Sequence, residues 1–171
     1  MKLYHLSEEA NIQHFIPRPS KKIWNYRPYV WAISEAKVHN YLFPRNCPRI
    51  CIGTEDLTPL APYIALEPLK NKKALLLVPQ DWEARIRSCS LYQYEFDPTH
   101  FSLIDAIAGY YVSERPERPI AVRLLKDCLM LLEERAVEVQ LLSHAQLRQI
   151  CTVVVEELED FSVIRWDYLG K

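Results

Sequence analysis

The chain carries only three glycines, Gly53, Gly109 and Gly170, and no two of them lie near each other. At average usage, a chain of this length would hold about 12. This scarcity excludes every glycine-rich phosphate cradle. The G-x-G-x-x-G fingerprint and the Walker A loop both need several residues that let backbone N–H groups close on a phosphate. A nucleotide bound by this chain would have to be held by side chains.

With 171 residues, 49% hydrophobic and 25% charged, the sequence reads as one globular domain able to bury its own core. Its apolar runs, such as residues 74–79, are far shorter than a bilayer span requires. In MKLYHLSEEA, Glu8 and Glu9 interrupt any signal-peptide core, so a cytoplasmic location is expected. The five cysteines, Cys47, Cys51, Cys89, Cys128 and Cys151, are widely spaced and odd in number, which predicts free buried thiols. Cys47 and Cys51 with His39 have no second ligand pair at zinc spacing, so no metal is expected.

The net charge of −1 hides an asymmetry. Residues 10–54 contain Arg18, Lys21, Lys22, Arg27, Lys37, Arg45 and Arg49 against Glu35, an excess of +6. Either an anion-facing surface or a solvated basic loop fits that excess. No long basic run exists and the pI is near 6.5, so a dedicated nucleic-acid binder is not expected. Pro17, Pro19, Pro28, Pro44 and Pro48 punctuate the same stretch and would stiffen its loops.

Alternation predicts strands over residues 2–6, 29–33, 49–53, 73–78, 91–96, 109–113 and 120–122. Ser34 reads as the N-cap of a helix that must stop before Pro44. Residues 16–28 read as a proline-rich basic loop with aromatic anchors, and residues 79–88 as a short helix. From Leu124, the positions Leu124, Leu125, Cys128, Leu129 and Leu132 fall at helical spacing. Residues 137–142 then alternate, Ser143 and Gln146 form a capping-box pattern, and residues 161–166 close the chain as a strand. The whole predicts a single mixed α+β domain of about eight or nine strands and four helices. Residues 1–115 would be mostly β with short helices, and 116–171 helix–strand–helix–strand with a parallel crossover.

Four constellations could carry chemistry. His5 and Ser7 share a face of the first strand; they could grip a ribose or phosphate, or cap the strand and start a turn. Tyr29 and Trp31 share a face of another strand, beside Arg18 and Arg27; they could stack on a flat ring, though aromatics at strand spacing are more often core. Arg45 and Arg49 sit in a proline-pinned loop, suited to phosphate or to a salt bridge with the acidic C-terminal region. Glu114 ends the strand GYYVS, where it could stabilise a cationic centre or stand in a solvated turn. No G-x-S-x-G, H-E-x-x-H or deaminase signature is present.

The segments LYHLSEEANIQHFIPRPS, YVWAISEAKVHNYLFPRNCPRI, LYQYEFDPTHF, DAIAGYYVS and FSVIRW resemble a family of small, uncharacterised bacterial proteins. A first strand ending Y-H-x-S, a P-R-x-S loop and a Y-V-W-A strand running into a helix are also similar to the ADP-ribosyltransferase-like fold. That second resemblance implies a mixed, split or strongly bent sheet of ADP-ribosyltransferase type in residues 1–115, flanked by helices, and NAD as the bound nucleotide. It implies that His5 and Ser7 orient a ribose and that Tyr41, or else Trp31, stacks on nicotinamide. Arg18, Arg45 and Arg49 would meet phosphates. Glu114, with Glu95 behind it, would stabilise the ribosyl cation. The glycine often found just beyond the first-strand motif is missing. The other reading is a non-enzymatic binding module, using the basic face of residues 10–54 for an acidic protein or nucleic acid.

Overall fold

The alternating segments form eleven strands in a computed structural model that describes residues 1–19 and 27–170. Ser20, Lys21, Lys22 and the loop aromatics Trp24 and Tyr26 lie outside the described residues. In chain order the elements are β1 (Leu3–Ser7), β2 (Arg18–Pro19), β3 (Pro28–Ser34), a 3-10 run (Glu35–Tyr41), β4 (Arg49–Gly53), β5 (Ala74–Pro79) and α1 (Glu83–Ser88). There follow β6 (Ser90–Phe96), β7 (Ser102–Asp105), β8 (Tyr110–Ser113), β9 (Ala121–Lys126), α2 (Cys128–Glu134), β10 (Val137–Leu142), α3 (His144–Glu157) and β11 (Phe161–Ile164). This is an α+β protein. It divides into two compact, interleaved units: Met1–Tyr41 with Ser90–Leu125, and Leu42–Cys89 with Lys126–Lys171.

The first unit is built on a seven-stranded sheet ordered β7-β8-β3-β1-β6-β9, with β2 added to β3. Period-two alternation gives each strand two distinct faces. On one face Leu3, Val30, Ala32, Tyr94 and Phe96 pack with Phe15. On the other Tyr4 and Ile33 pack with Val38, Tyr41 and Tyr110. β1 pairs β6 over five residues, from Leu3↔Phe96 to Ser7↔Tyr92. Its register with β3 covers two pairs, Leu3↔Ser34 and Tyr4↔Ile33. Beyond Tyr4, β3 continues against β8 while β1 stays with β6, so the sheet splits there.

The expected helix after β3 winds as a 3-10 run instead. Ser34, the last residue of β3, immediately precedes this run, and its N–H donates to Gly109 O at 2.9 Å. The i→i+3 winding also covers more length per residue, which suits a short link before Pro44.

The second unit carries a four-stranded mixed sheet, β10-β5-β4-β11. Central β5, ALLLVP, is buried along its whole length, as a strand covered on both faces should be. It runs parallel to β10 and antiparallel to β4, which is antiparallel to β11. β10 and β11 are therefore parallel edge strands, joined by α3 as the expected crossover. Leu147, Ile150 and Val154 of α3 seal one sheet face against Ile50, Ile52, Leu75 and Leu77. The capping box forms: Ser143 Oγ accepts the Gln146 N–H, and Gln146 Oε1 accepts the Ser143 N–H.

One boundary differs from the sequence reading. Leu124 and Leu125 belong to β9, and α2 starts only at Cys128. Asp127 stops the strand by adopting left-handed geometry and caps the helix through the Met130 N–H. The helical spacing of the leucines ran across two elements that abut. Of the described helices, three are α-helical. None is long and apolar enough to cross a membrane.

Candidate functional site

The split between β1 and β3 places His5 where the two strands part. Its Nδ1–H donates to the Trp31 carbonyl at 3.0 Å, across the gap that strand pairing no longer fills. That contact orients the ring, and Phe15 packs on it with centroids 5.0 Å apart. Ser7, on the same face, accepts the Glu9 N–H through its Oγ at 3.0 Å and so starts a turn. The buried Tyr94 hydroxyl donates to Glu9 O at 2.6 Å and accepts the Ile12 N–H at 3.2 Å. It thereby ties the segment after β1 back over this face.

A carboxylate that sequence reading missed stands on the same face. Ser113 lies opposite Val30 in the β3–β8 register and so shares the face of Leu3 and His5. Its hydroxyl donates to Glu117 Oε1 at 2.6 Å. Glu117 is 9% exposed, and its backbone bridges Phe15 in both directions at 2.8 and 2.9 Å. His100 Nδ1 lies 3.6 Å from the same carboxylate oxygen. Phe15 thus touches His5 with its ring and Glu117 with its backbone. Nothing local in SERPER marks Glu117 for burial, because its partner is Phe15, far away in sequence.

The other expected residues distribute as follows. Glu114 points to solvent, 68% exposed, and pairs with Arg27 at 3.3 Å. Glu95 is on the opposite face from His5 and pairs with Lys2 at 3.6 Å. Trp31 and Tyr41 also stand on that opposite face, in an aromatic row Tyr29–Trp31–Tyr110–Tyr41 with centroids 5.8–6.1 Å apart. The hydroxyls of Tyr41 and Tyr110 hydrogen-bond each other. Arg18 is exposed on β2, beside Tyr29.

Arg45 and Arg49 belong to the second unit. Arg45 is exposed in a turn. Arg49 is only 3% exposed; it donates to Cys47 O at 2.7 Å and lies over the Phe43 ring at 5.2 Å. A guanidinium so enclosed serves the local packing rather than an external phosphate. A groove of about 400 Å³ in this unit is lined by Lys72, Arg87, Asp127, Glu133 and Glu138. Its charges meet internally, with Lys72 3.4 Å from Glu138. Among the described residues, no group of three or more His, Cys, Asp or Glu side chains is placed to hold a metal ion.

One family model matches the chain, over residues 4–168, and describes a family of unknown function (DUF6886). No curated protein and no solved structure matches it.

Proposed function

We propose that this chain, which belongs to the family of unknown function DUF6886, is an ADP-ribosyltransferase-like protein that binds NAD where β1 parts from β3. The observation that carries this reading is His5 at the split, with its Nδ1–H held by the Trp31 carbonyl. In the neutral ring Nε2 is then the accepting nitrogen, suited to a ribose hydroxyl. Ser7 adds a hydroxyl on the same face, and Phe15 is the aromatic ring beside His5. Trp31 contributes its carbonyl, while its ring and that of Tyr41 serve the opposite face. Arg18 pairs with Tyr29 and so shares the face opposite His5, and this reading assigns it no phosphate.

When bound, NAD supplies a ribosyl group whose bond to nicotinamide can break, the electron pair leaving on the neutral ring. Glu117 is the carboxylate we assign to the positive charge that develops at the ribosyl carbon. A carboxylate held by a hydroxyl in a site of low dielectric acts more strongly than one in water. Glu114, solvated and paired with Arg27, lacks that advantage. The binding-module reading loses Arg49 from its basic face, because that side chain is buried.

The test is nicotinamide release from NAD, with water as the acceptor. Release is expected from the wild-type chain, about 100-fold slower release from Glu117→Gln, and near-normal release from Glu114→Gln. The reverse pattern would assign the carboxylate to Glu114. No release from a normally melting wild-type protein would remove the transferase chemistry.

A further inference from the structure

Cys89 and Cys128 lie in the second unit with their sulfurs 3.6 Å apart, in van der Waals contact. Their position in the chain is distinctive. The chain leaves the second unit after Cys89 and returns to it at Lys126, so the pair flanks the whole excursion of residues 90–125 into the first unit. We propose that these two thiols are a redox modification site, at which a peroxide oxidant forms a reversible disulfide that clamps the two ends of this excursion.

The chemistry balances with hydrogen peroxide as the oxidant. One thiolate, that of Cys89, attacks a peroxide oxygen. An S–O bond forms, the O–O bond breaks, and hydroxide leaves as water after taking a proton. The Cys128 thiolate then attacks the Cys89 sulfur. The S–S bond forms, the S–O bond breaks, and a second water leaves. Two thiols lose two electrons and two protons, and one peroxide becomes two waters. Closing the sulfur contact by about 1.5 Å reaches the bond length of about 2.05 Å.

The surroundings set when this happens. Cys89 also donates to the Ile86 carbonyl at 3.4 Å, and Cys128 is the first residue of the seven-residue α2. The hydrogen bond that Cys128 donates to the Cys89 sulfur, together with burial, holds the Cys128 thiol well above the ordinary range. Both groups are buried, so the closed unit protects them and oxidation follows local opening at the start of α2. Cys47 is the competitor, since it feels the charges of Cys89 and Cys51; burial pushes its thiol up to about 12.

The experiment treats the reduced full-length chain with hydrogen peroxide, alkylates the remaining thiols and maps tryptic peptides without reduction. The five cysteines fall in five different tryptic peptides, so the partners are unambiguous. The expected product joins the peptides of Cys89 and Cys128, two hydrogens lighter than their sum, and is released by dithiothreitol. A link around residues 90–127 should also raise the thermal midpoint by about 5–10 °C, reversibly. Cys47→Ser should retain both effects. Linkage of Cys89 to Cys47 or Cys51, oxidation to sulfinic acid without a cross-link, or five thiols still alkylatable after treatment near the onset of melting would each overturn the proposal.

Discussion

At the scale of single residues, the scarcity of glycine decides how the backbone turns. Among the described residues, six that are not glycine hold positive φ: Asn11, Asn46, Asn71, Asp127, Ala136 and Arg165. Asparagine and aspartate tolerate this region, because a short polar side chain can bond locally. Ala136, at φ 56°, has no such relief. Its backbone is fixed by bonds from both sides, Ala136 N to Glu133 O and Lys73 N to Ala136 O. Ala136→Gly should therefore stabilise the protein by about 0.5–1 kcal/mol, after the entropy that glycine adds to the unfolded chain. Denaturant midpoints at constant slope would show it, and a lower midpoint would contradict the strain. Gly109 is spent differently. At φ 71° it lets β8 start against the end of β3, and a Cβ there would lie 2.6 Å from Ser34 Oγ. The exclusion of a glycine cradle was thus legible in the sequence, while the residue-level site was legible only in part. Of the proposed site, His5 and Ser7 are readable in the sequence as a pair because both sit on one alternating strand. Glu117 is not, because its burial is made by the long-range bridge to Phe15.

Elements were legible where one periodicity ran uninterrupted. The apolar run of β5, the alternation of β6 and the capping box of α3 each announce themselves locally, and each formed. Errors arose where two elements abut. Leu124 and Leu125 end β9, yet their spacing to Leu129 and Leu132 imitates a helix. β7 went unread because none of its four residues is buried and its pairing is broken by an irregularity between Leu103 and Asp105. The N-terminus of α3 offers a quantitative check. Ser143→Ala removes the oxygen that accepts the Gln146 N–H and should cost about 1 kcal/mol. Because α3 seals one face of the second sheet, that loss should appear in the equilibrium denaturation of the unit it covers. An unchanged midpoint would mean that the cap does not hold the helix.

At the scale of the molecule, composition and alternation sufficed for an α+β class, but not for the interleaving of two units. No local signal tells a strand which sheet it will join: the continuous apolar run of β5 announces a buried strand without naming β4 and β10 as its neighbours. The split of the first sheet was expected from resemblance, and its physical form is the short register between β1 and β3. That split makes the central claim concrete, because one imidazole stands where the sheet opens. Calorimetric titration of the purified full-length chain with NAD tests it most directly. Saturable binding in the millimolar range or tighter is expected for the wild type. His5→Ala should lose at least about tenfold in affinity, the equivalent of 1.4 kcal/mol, while keeping its thermal midpoint within a few degrees. No heat of binding at millimolar NAD from a normally melting protein, or equal binding by His5→Ala, would contradict it.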